Sequence, residues 1–105
     1  MKKLLLAIGC FGLISSVQMF AQDADAGKTV FDTNCSVCHN ADSEETKAGP
    51  GLKGIMHKEE LHNGEKVNDE NVLAFISMGG GGMPGFDAFL TDEEKTNLIA
   101  YLNTL

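Results

Sequence analysis

Residues 35–39, Cys35-Ser36-Val37-Cys38-His39, decide how the rest of this 105-residue chain is read. Two thiols three positions apart, followed at once by an imidazole, form the spacing C-x-x-C-H, the attachment pattern of c-type haem. The physical reason is geometric. On a helix, positions i, i+3 and i+4 share one face. Two thiols on that face can bond to the two vinyl groups along one porphyrin edge, and the imidazole next in line reaches the iron. Three other readings use the same residues. A thioredoxin-like redox pair belongs near a strand–helix–strand pattern, which this sequence lacks. A disulfide across so short a loop would brace almost nothing. A zinc site would recruit His57 and His62, giving C-x-x-C…H-x-x-x-x-H. The 18 residues between Cys38 and His57 exceed the usual ~12–15, and that reading leaves His39 unused.

Upstream of the motif, residues 1–21 read as an export signal. Lys2 and Lys3 give a basic start, Leu4 to Ile14 is an apolar or small run, and Ser15 to Ala21 is more polar and ends in a small residue. The apolar run is short for a membrane span, which needs ~20 residues. Met19 stands where a small residue is preferred before a cut after Ala21, so an uncleaved anchor is the alternative. A lipoprotein cut at Cys10 would fall in the middle of the apolar run, and Cys10 is read as an inert residue of a discarded peptide. Export fits the motif, because the chain would then meet haem outside the cytoplasm.

Residues 22–105 form the mature domain. They keep 6 Lys and all 15 acids, a formal charge of −9 against −7 for the whole chain, and there is no Arg. That balance argues against nucleic-acid binding, which wants a basic face. Only Cys35 and Cys38 remain as cysteines. A domain of 84 residues buries little apolar surface and usually needs a staple, which two cysteines this close cannot supply. Something else should fill the centre.

Three helices are expected. The first runs from Asp25 to about Asn34, with Asp23 or Asp25 as its cap and Gly27 and Phe31 on one face. The second is capped by Asn68 or Asp69, carries Val72, Leu73, Phe75 and Ile76 on one stripe, and stops at Gly79. The third opens with the capping box Thr91-Asp92-Glu93-Glu94 and turns Leu98, Ile99, Tyr101, Leu102 and Leu105 inward. No run alternates as a strand would. The stretch from Asn40 to Val67 should be mostly loop and short turns, and a loop of that length in so small a domain suggests that it wraps something.

An iron bound by His39 has a second axial position, and the mature candidates are Met56, Met78, Met83, His57 and His62. A lone Met is usually core filler. Met78 fits that role at the end of an apolar helix, and Met56 has no supporting context. Met83 follows Gly79-Gly80-Gly81-Gly82 and precedes Pro84, between a permissive run and a rigid residue. A plain flexible linker is the competing reading of the glycines. His57 and His62 sit among Lys58, Glu59 and Glu60 and read as solvated loop residues, either of which could replace Met83 on iron.

Taken in order, Gly27-x-x-x-Phe31, Cys35-x-x-Cys38-His39, Gly49-Pro50-Gly51-Leu52, Gly82-Met83-Pro84-x-Phe86 and Tyr101-Leu102 resemble the class I c-type cytochromes over essentially the whole mature chain. The resemblance implies an all-α small cytochrome c fold, three to five helices wrapped around one haem c attached through Cys35 and Cys38. It implies His39 and Met83 as the iron ligands. The Pro50 carbonyl should accept a hydrogen bond from the other ring nitrogen of His39, and Leu52 should line the haem pocket. Gly27 and Phe31 should mark where the first helix crosses the last, near Tyr101. Two features depart from the family pattern: the glycine run is richer, which should leave the Met83 loop more mobile, and Met56 to Val67 contains no family motif.

The function these readings imply is one-electron transfer by an exported, periplasmic or otherwise translocated, carrier that is not an enzyme. Its partners would be redox proteins with a basic or apolar docking face, with no nucleic acid, and with membrane contact only through an uncleaved N-terminal segment. Other classes compatible with the same residues are a haem-bearing electron-transfer subunit of a larger oxidoreductase, a gas-sensing haem module using a labile Met83, and a zinc-binding module.

Overall fold

The computed structural model describes residues 22–105; the export-signal reading of residues 1–21 lies outside the described residues. Three helices and no strands make up the described chain: α1 Ala24–Asn34, α2 Asp69–Met78 and α3 Asp92–Leu102, with one 3-10 turn, Ile55–His57, inside the long connection between α1 and α2. Among the described residues no helix is long and apolar enough to cross a membrane.

Each helix begins where a side chain can satisfy the free amides of its first turn. Asp23 is extended, and its carboxylate accepts from the amides of Asp25 at 2.9 Å and Ala26 at 3.1 Å. Asn68 Oδ1 accepts from Asn71 N at 2.8 Å. Thr91 and Glu94 form the reciprocal pair expected from the sequence, with both bonds at 3.1 Å. Gly79 ends α2, its amide donating to Phe75 O at a positive φ of 72° that suits glycine.

The principal packing is α1 on α3, and α2 meets α3 more lightly. The α1–α3 crossing is centred on Gly27. A Cβ at that position would overlap the Asn97 carbonyl and come within 2.9 Å of Tyr101 Cβ, so the two backbones are close because residue 27 has no side chain. One turn on, Phe31 is fully buried and stacks obliquely on Tyr101 with ring centroids 5.5 Å apart. Buried Asn97 adds a polar tie, accepting from Asp23 N at 3.0 Å, and at the other end of α3 Asn103 Nδ2 donates to Asp69 Oδ1 at 3.0 Å. The C-terminus is tied back as well, with Leu105 O accepting from Gly54 N at 3.0 Å.

Inward from this frame lie Val30, Val72, Ile76, Leu90, Leu98 and Ile99, all buried. Beside them stands a second set of half-buried apolar side chains, including Cys35, Leu52, Met56, Met83 and Phe86. Two expectations differ from this arrangement. Met78 is not core filler but 81 % exposed. It lies two residues past buried Ile76, about 200° around the helix, and so on the outer side. Met56 does have a context, packing against the core from the 3-10 turn.

One charge is buried with the apolar residues. Lys95, one turn into α3, donates to Asp87 Oδ1 at 2.8 Å and to Ser77 Oγ at 3.2 Å, and Asp92 Oδ1 lies 3.5 Å away. The hydrogen bond from Lys95, and then its charge, hold the Asp87 carboxyl below the usual carboxylate range. The same bond holds the Lys95 ammonium above its ordinary value, against the effect of burial.

Two outcomes follow from these contacts. In an open helix interior Gly→Ala gains ~1 kcal/mol, but at Gly27 the overlap with Asn97 must be relieved by parting two helices, a change of the kind that costs ~1–3 kcal/mol or more. Gly27→Ala should therefore lower the denaturation midpoint of the folded protein, with a net loss of about 1–2 kcal/mol. Asp87 is ionised more readily in the folded than in the unfolded chain, so its contribution is present above the ordinary carboxylate range and is lost as pH falls through the lowered folded value. The stability difference between wild type and Asp87→Asn should be constant between about pH 6 and 9 and shrink below about pH 4, as read from denaturant melts across pH.

Candidate functional site

The C-x-x-C-H residues do not lie on α1 itself. The helix ends at Asn34, Cys35 is its C-cap, and residues 35–38 form a turn. The helical relation survives because one acceptor, Cys35 O, takes both Cys38 N at 3.1 Å and His39 N at 3.0 Å. The i, i+3, i+4 positions are thus gathered by a single carbonyl rather than by a continuing helix. Lys47 braces this turn from the long connection, its ammonium donating to Ser36 O at 2.9 Å. Cys35 and Cys38 are free thiols, both half-buried. Burial, and secondarily the neighbouring Cys38, push the free Cys35 thiol up to about 11, so that it is protonated at neutral pH.

The chain then folds back over His39. Gly49 N donates to Cys38 O at 2.8 Å, and Leu52 N donates to Asn40 O at 2.7 Å, which lays residues 49–52 alongside the imidazole. His39 Nδ1 lies 2.7 Å from Pro50 O. A carbonyl has only lone pairs, so Nδ1 must be the protonated nitrogen, and Nε2 keeps its lone pair for a ligand. Gly49 lies flat against the ring: a Cβ there would come within 2.5 Å of Cε1 and 2.9 Å of Nδ1. The ring is therefore held by a hydrogen bond at one nitrogen and by bare backbone near its edge.

Met83 sits in the connection between α2 and α3, half-buried and packed against the core, as are Cys35 and Leu52. The glycines before it, residues 79–82, all have positive φ, between 59° and 154°. They make a tight reversal in which Gly80 and Met83 exchange backbone hydrogen bonds, each 3.0 Å. Past Pro84 the chain is fastened to the end of α2, with Phe86 N donating to Ile76 O at 2.9 Å and Asp87 N donating to Ser77 O at 3.2 Å. The loop expected to be mobile is thus bonded on both sides of Met83.

His57 and His62 lie exposed, on the 3-10 turn and in the turn that follows it. Among the described residues no three His, Cys, Asp or Glu side chains gather to hold a metal ion, so the zinc alternative finds no assembled donor set. Three residues with structural roles at the site were not assigned them from the sequence: Gly49 as the rest for the imidazole, and Lys47 and Lys95 as braces. Gly49 stands in a quoted motif without a role of its own. The two lysines reach partners 8 to 18 residues away in sequence and leave no spacing signature.

Comparison with known proteins fits this geometry. The family model described as Cytochrome c matches residues 24–105. The cytochrome c6 of Picosynechococcus is 35 % identical over 86 residues, covering 79 % of this chain and 74 % of that protein. The cytochrome c6 of Gloeothece citriformis is 30 % identical and covers 97 % of this chain and 93 % of its own length. Among solved structures, cytochrome c6 from the diatom Phaeodactylum tricornutum superposes with a TM-score of 0.63 at 25 % identity, over 78 % of this chain and 92 % of that one. Cytochrome cH from Methylobacterium extorquens gives a TM-score of 0.60 at 25 % identity, over 79 % of this chain and 99 % of that one.

A covalently attached haem c makes three demands on a chain, and the residues here fit them. Two free thiols stand in one turn, an imidazole has its Nδ1 occupied by a backbone carbonyl, and an apolar set including Leu52 and Met83 stands half-covered beside the core. Gly49→Ala should press directly on the His39 ring and destabilise the haem-bearing protein by about 1–3 kcal/mol, measured as a fall in its guanidinium midpoint.

Proposed function

The chain belongs to the cytochrome c family, a small c-type cytochrome with one covalently attached haem c that carries electrons, and on that ground we propose that it is exported and that its iron is held between His39 and Met83. The observation that supports His39 as a ligand is the 2.7 Å contact of its Nδ1 with Pro50 O, which leaves Nε2 free to hold a metal. Held by His39 and Met83, the haem would supply a one-electron ferric–ferrous couple.

The chain's own residues set the character of that couple. Cys35 and Cys38, both free thiols, would hold the group covalently as thioethers. The Pro50 carbonyl fixes the tautomer and orientation of His39 and raises its basicity as a ligand. The Met83 thioether is soft and favours the reduced metal, which raises the potential. Leu52 lines the pocket, and the half-buried apolar set that includes Met83 and Phe86 excludes water and limits rearrangement on redox change. Membership of an electron-carrying family supports the reading that the chain acts as a carrier.

Export rests on residues 1–21, with their basic start and apolar run, and on the need of a c-type chain to meet haem outside the cytoplasm. Electrons would pass at the edge next to the attachment turn. Val37, between the two thiols, is 78 % exposed and gives that edge an apolar contact. With a formal charge of −9 on residues 22–105, a redox partner with basic groups around an apolar centre fits this surface, and salt should slow their encounter where charge steers it.

The test is spectroscopic. Met83→Ala should remove the sulfur-to-ferric-iron charge-transfer band and lower the reduction potential; an unchanged spectrum and potential would refute Met83 as ligand. Replacing both Cys35 and Cys38 by Ala should release the haem on denaturation, and haem retained through denaturation in that variant would count against thioether attachment.

A further inference from the structure

Lys95 is the one charged side chain in the core of the described residues, and electron transfer at the haem gives it no task. Its side chain is 7 % exposed, and its ammonium faces three oxygens, one for each N–H donor: Asp87 Oδ1 at 2.8 Å, Ser77 Oγ at 3.2 Å and Asp92 Oδ1 at 3.5 Å. The placement of two of these is informative. Ser77 is the next-to-last residue of α2, and Asp87 lies on the far side of the Met83 reversal. The chain leaves Ser77, passes the four positive-φ glycines, Met83 and Pro84, and returns to Asp87. A single ammonium from a third element, α3, fastens both ends of that arc.

The chemistry suits a clasp better than a stability device. An ammonium withdrawn from water loses hydration that its partners only partly repay, and an apolar side chain of similar length at such a position is often neutral or stabilising. Two of the partners stay in water, since the side chains of Asp87 and Asp92 are 77 % and 95 % exposed. What an apolar residue could not do is hold Asp87 against Ser77. Within the arc, closure rests on few bonds: the Gly80–Met83 exchange, Phe86 N to Ile76 O, and Asp87 N to Ser77 O, the last at 3.2 Å.

We propose that Lys95 is a positioning residue for Met83, a buried polar clasp that closes the 77–87 arc and so holds the thioether against displacement from the iron. This rests on the proposed ligation by Met83. An outside ligand reaches the iron only in molecules whose arc has opened, so its apparent affinity scales with the open fraction. Loss of the clasp raises that fraction and leaves the closed geometry otherwise intact.

The experiment uses the oxidised holoprotein, titrated with imidazole and followed by loss of the charge-transfer band. Lys95→Met keeps the length and apolar stem of the side chain and removes the three donors. It should bind imidazole about tenfold more tightly than wild type, with a guanidinium midpoint close to that of wild type. Asp87→Asn should shift affinity in the same direction, and the double variant should exceed Lys95→Met by less than the effect of Asp87→Asn alone. Asp87→Asn alone decides the matter if Lys95→Met fails to fold. Asn103→Ala, which cuts the α2–α3 tie at the opposite end of the molecule, controls for general loosening and should leave imidazole affinity unchanged. Affinities for Lys95→Met and Asp87→Asn within twofold of wild type, with the Met83→Ala variant lacking the band, would overturn the clasp alone. An Asn103→Ala effect as large as that of Lys95→Met would overturn it as well. A band that persists in Met83→Ala would overturn the ligand assignment, and the clasp with it.

Discussion

A hydrogen bond from one ring nitrogen to a backbone carbonyl governs what the other nitrogen can do. His39 Nδ1 meets Pro50 O at 2.7 Å, and because the carbonyl cannot donate, the proton sits on Nδ1 and the lone pair on Nε2. The rest of the site serves this contact. Pro50 reaches the ring because residues 49–52 are pinned to the attachment turn through Gly49 N to Cys38 O and Leu52 N to Asn40 O. Gly49 lets that strap lie close to the imidazole. The turn is fixed in its own right, since Cys35 O closes both steps of the C-x-x-C-H relation and Cys35 N, donating to Phe31 O, ends α1. Displacing the strap would free the ring to rotate and exchange tautomers, and the commitment of Nε2 would go with it.

The helices act as a frame for this strap. A side chain caps each start, and a cap is worth ~1 kcal/mol, comparable to the polar ties Asp23–Asn97 and Asn103–Asp69 that set how the frame closes. The α1–α3 crossing is built on the absence of a side chain at Gly27, with the aromatic pair Phe31–Tyr101 stacked one turn away. The fully buried apolar set is small for a free-standing domain, and a comparable number of apolar side chains are only half-covered. That distribution suits a chain whose centre is shared with a large flat apolar group.

The helices were legible in the sequence because their signals are local. Capping chemistry acts within three residues, so Thr91-x-x-Glu94 and Asn68 mark their helix starts, and Gly79 marks a stop. The first helix starts one residue earlier than expected because Asp23, of the two candidates, is the cap. The C-x-x-C-H motif was legible for the same reason, whereas the role of Pro50 followed from the resemblance to a known family. Interactions that close over longer spans were not. Met78 was read as core filler from its place in an apolar run, yet the direction of its side chain depends on how α2 is rotated, and Val72 and Ile76 win that contest. The motif was read on a helix, but α1 ends one residue short of it and a turn carries the geometry. Lys47 and Lys95 drew no reading because nothing near them in sequence reveals Ser36, Ser77 or Asp87 as partners.

The glycine run before Met83 shows why such a distant partner is useful. Four consecutive residues at positive φ allow a reversal that almost no other residues could make. The same freedom raises the entropy lost on ordering, by roughly 0.5–1 kcal/mol for each glycine relative to alanine. Backbone bonds are worth ~0.5–1.5 kcal/mol each, and the reversal itself contributes only the Gly80–Met83 pair, which does not fully offset that cost. Left to local contacts, the reversal is marginal. Its order must come from attachments outside the run, and those present are Phe86 to Ile76, Asp87 to Ser77 and the Lys95 ammonium spanning Ser77 and Asp87. A loop this permissive can present a side chain in an unusual direction, but only an external fastening makes that direction persist.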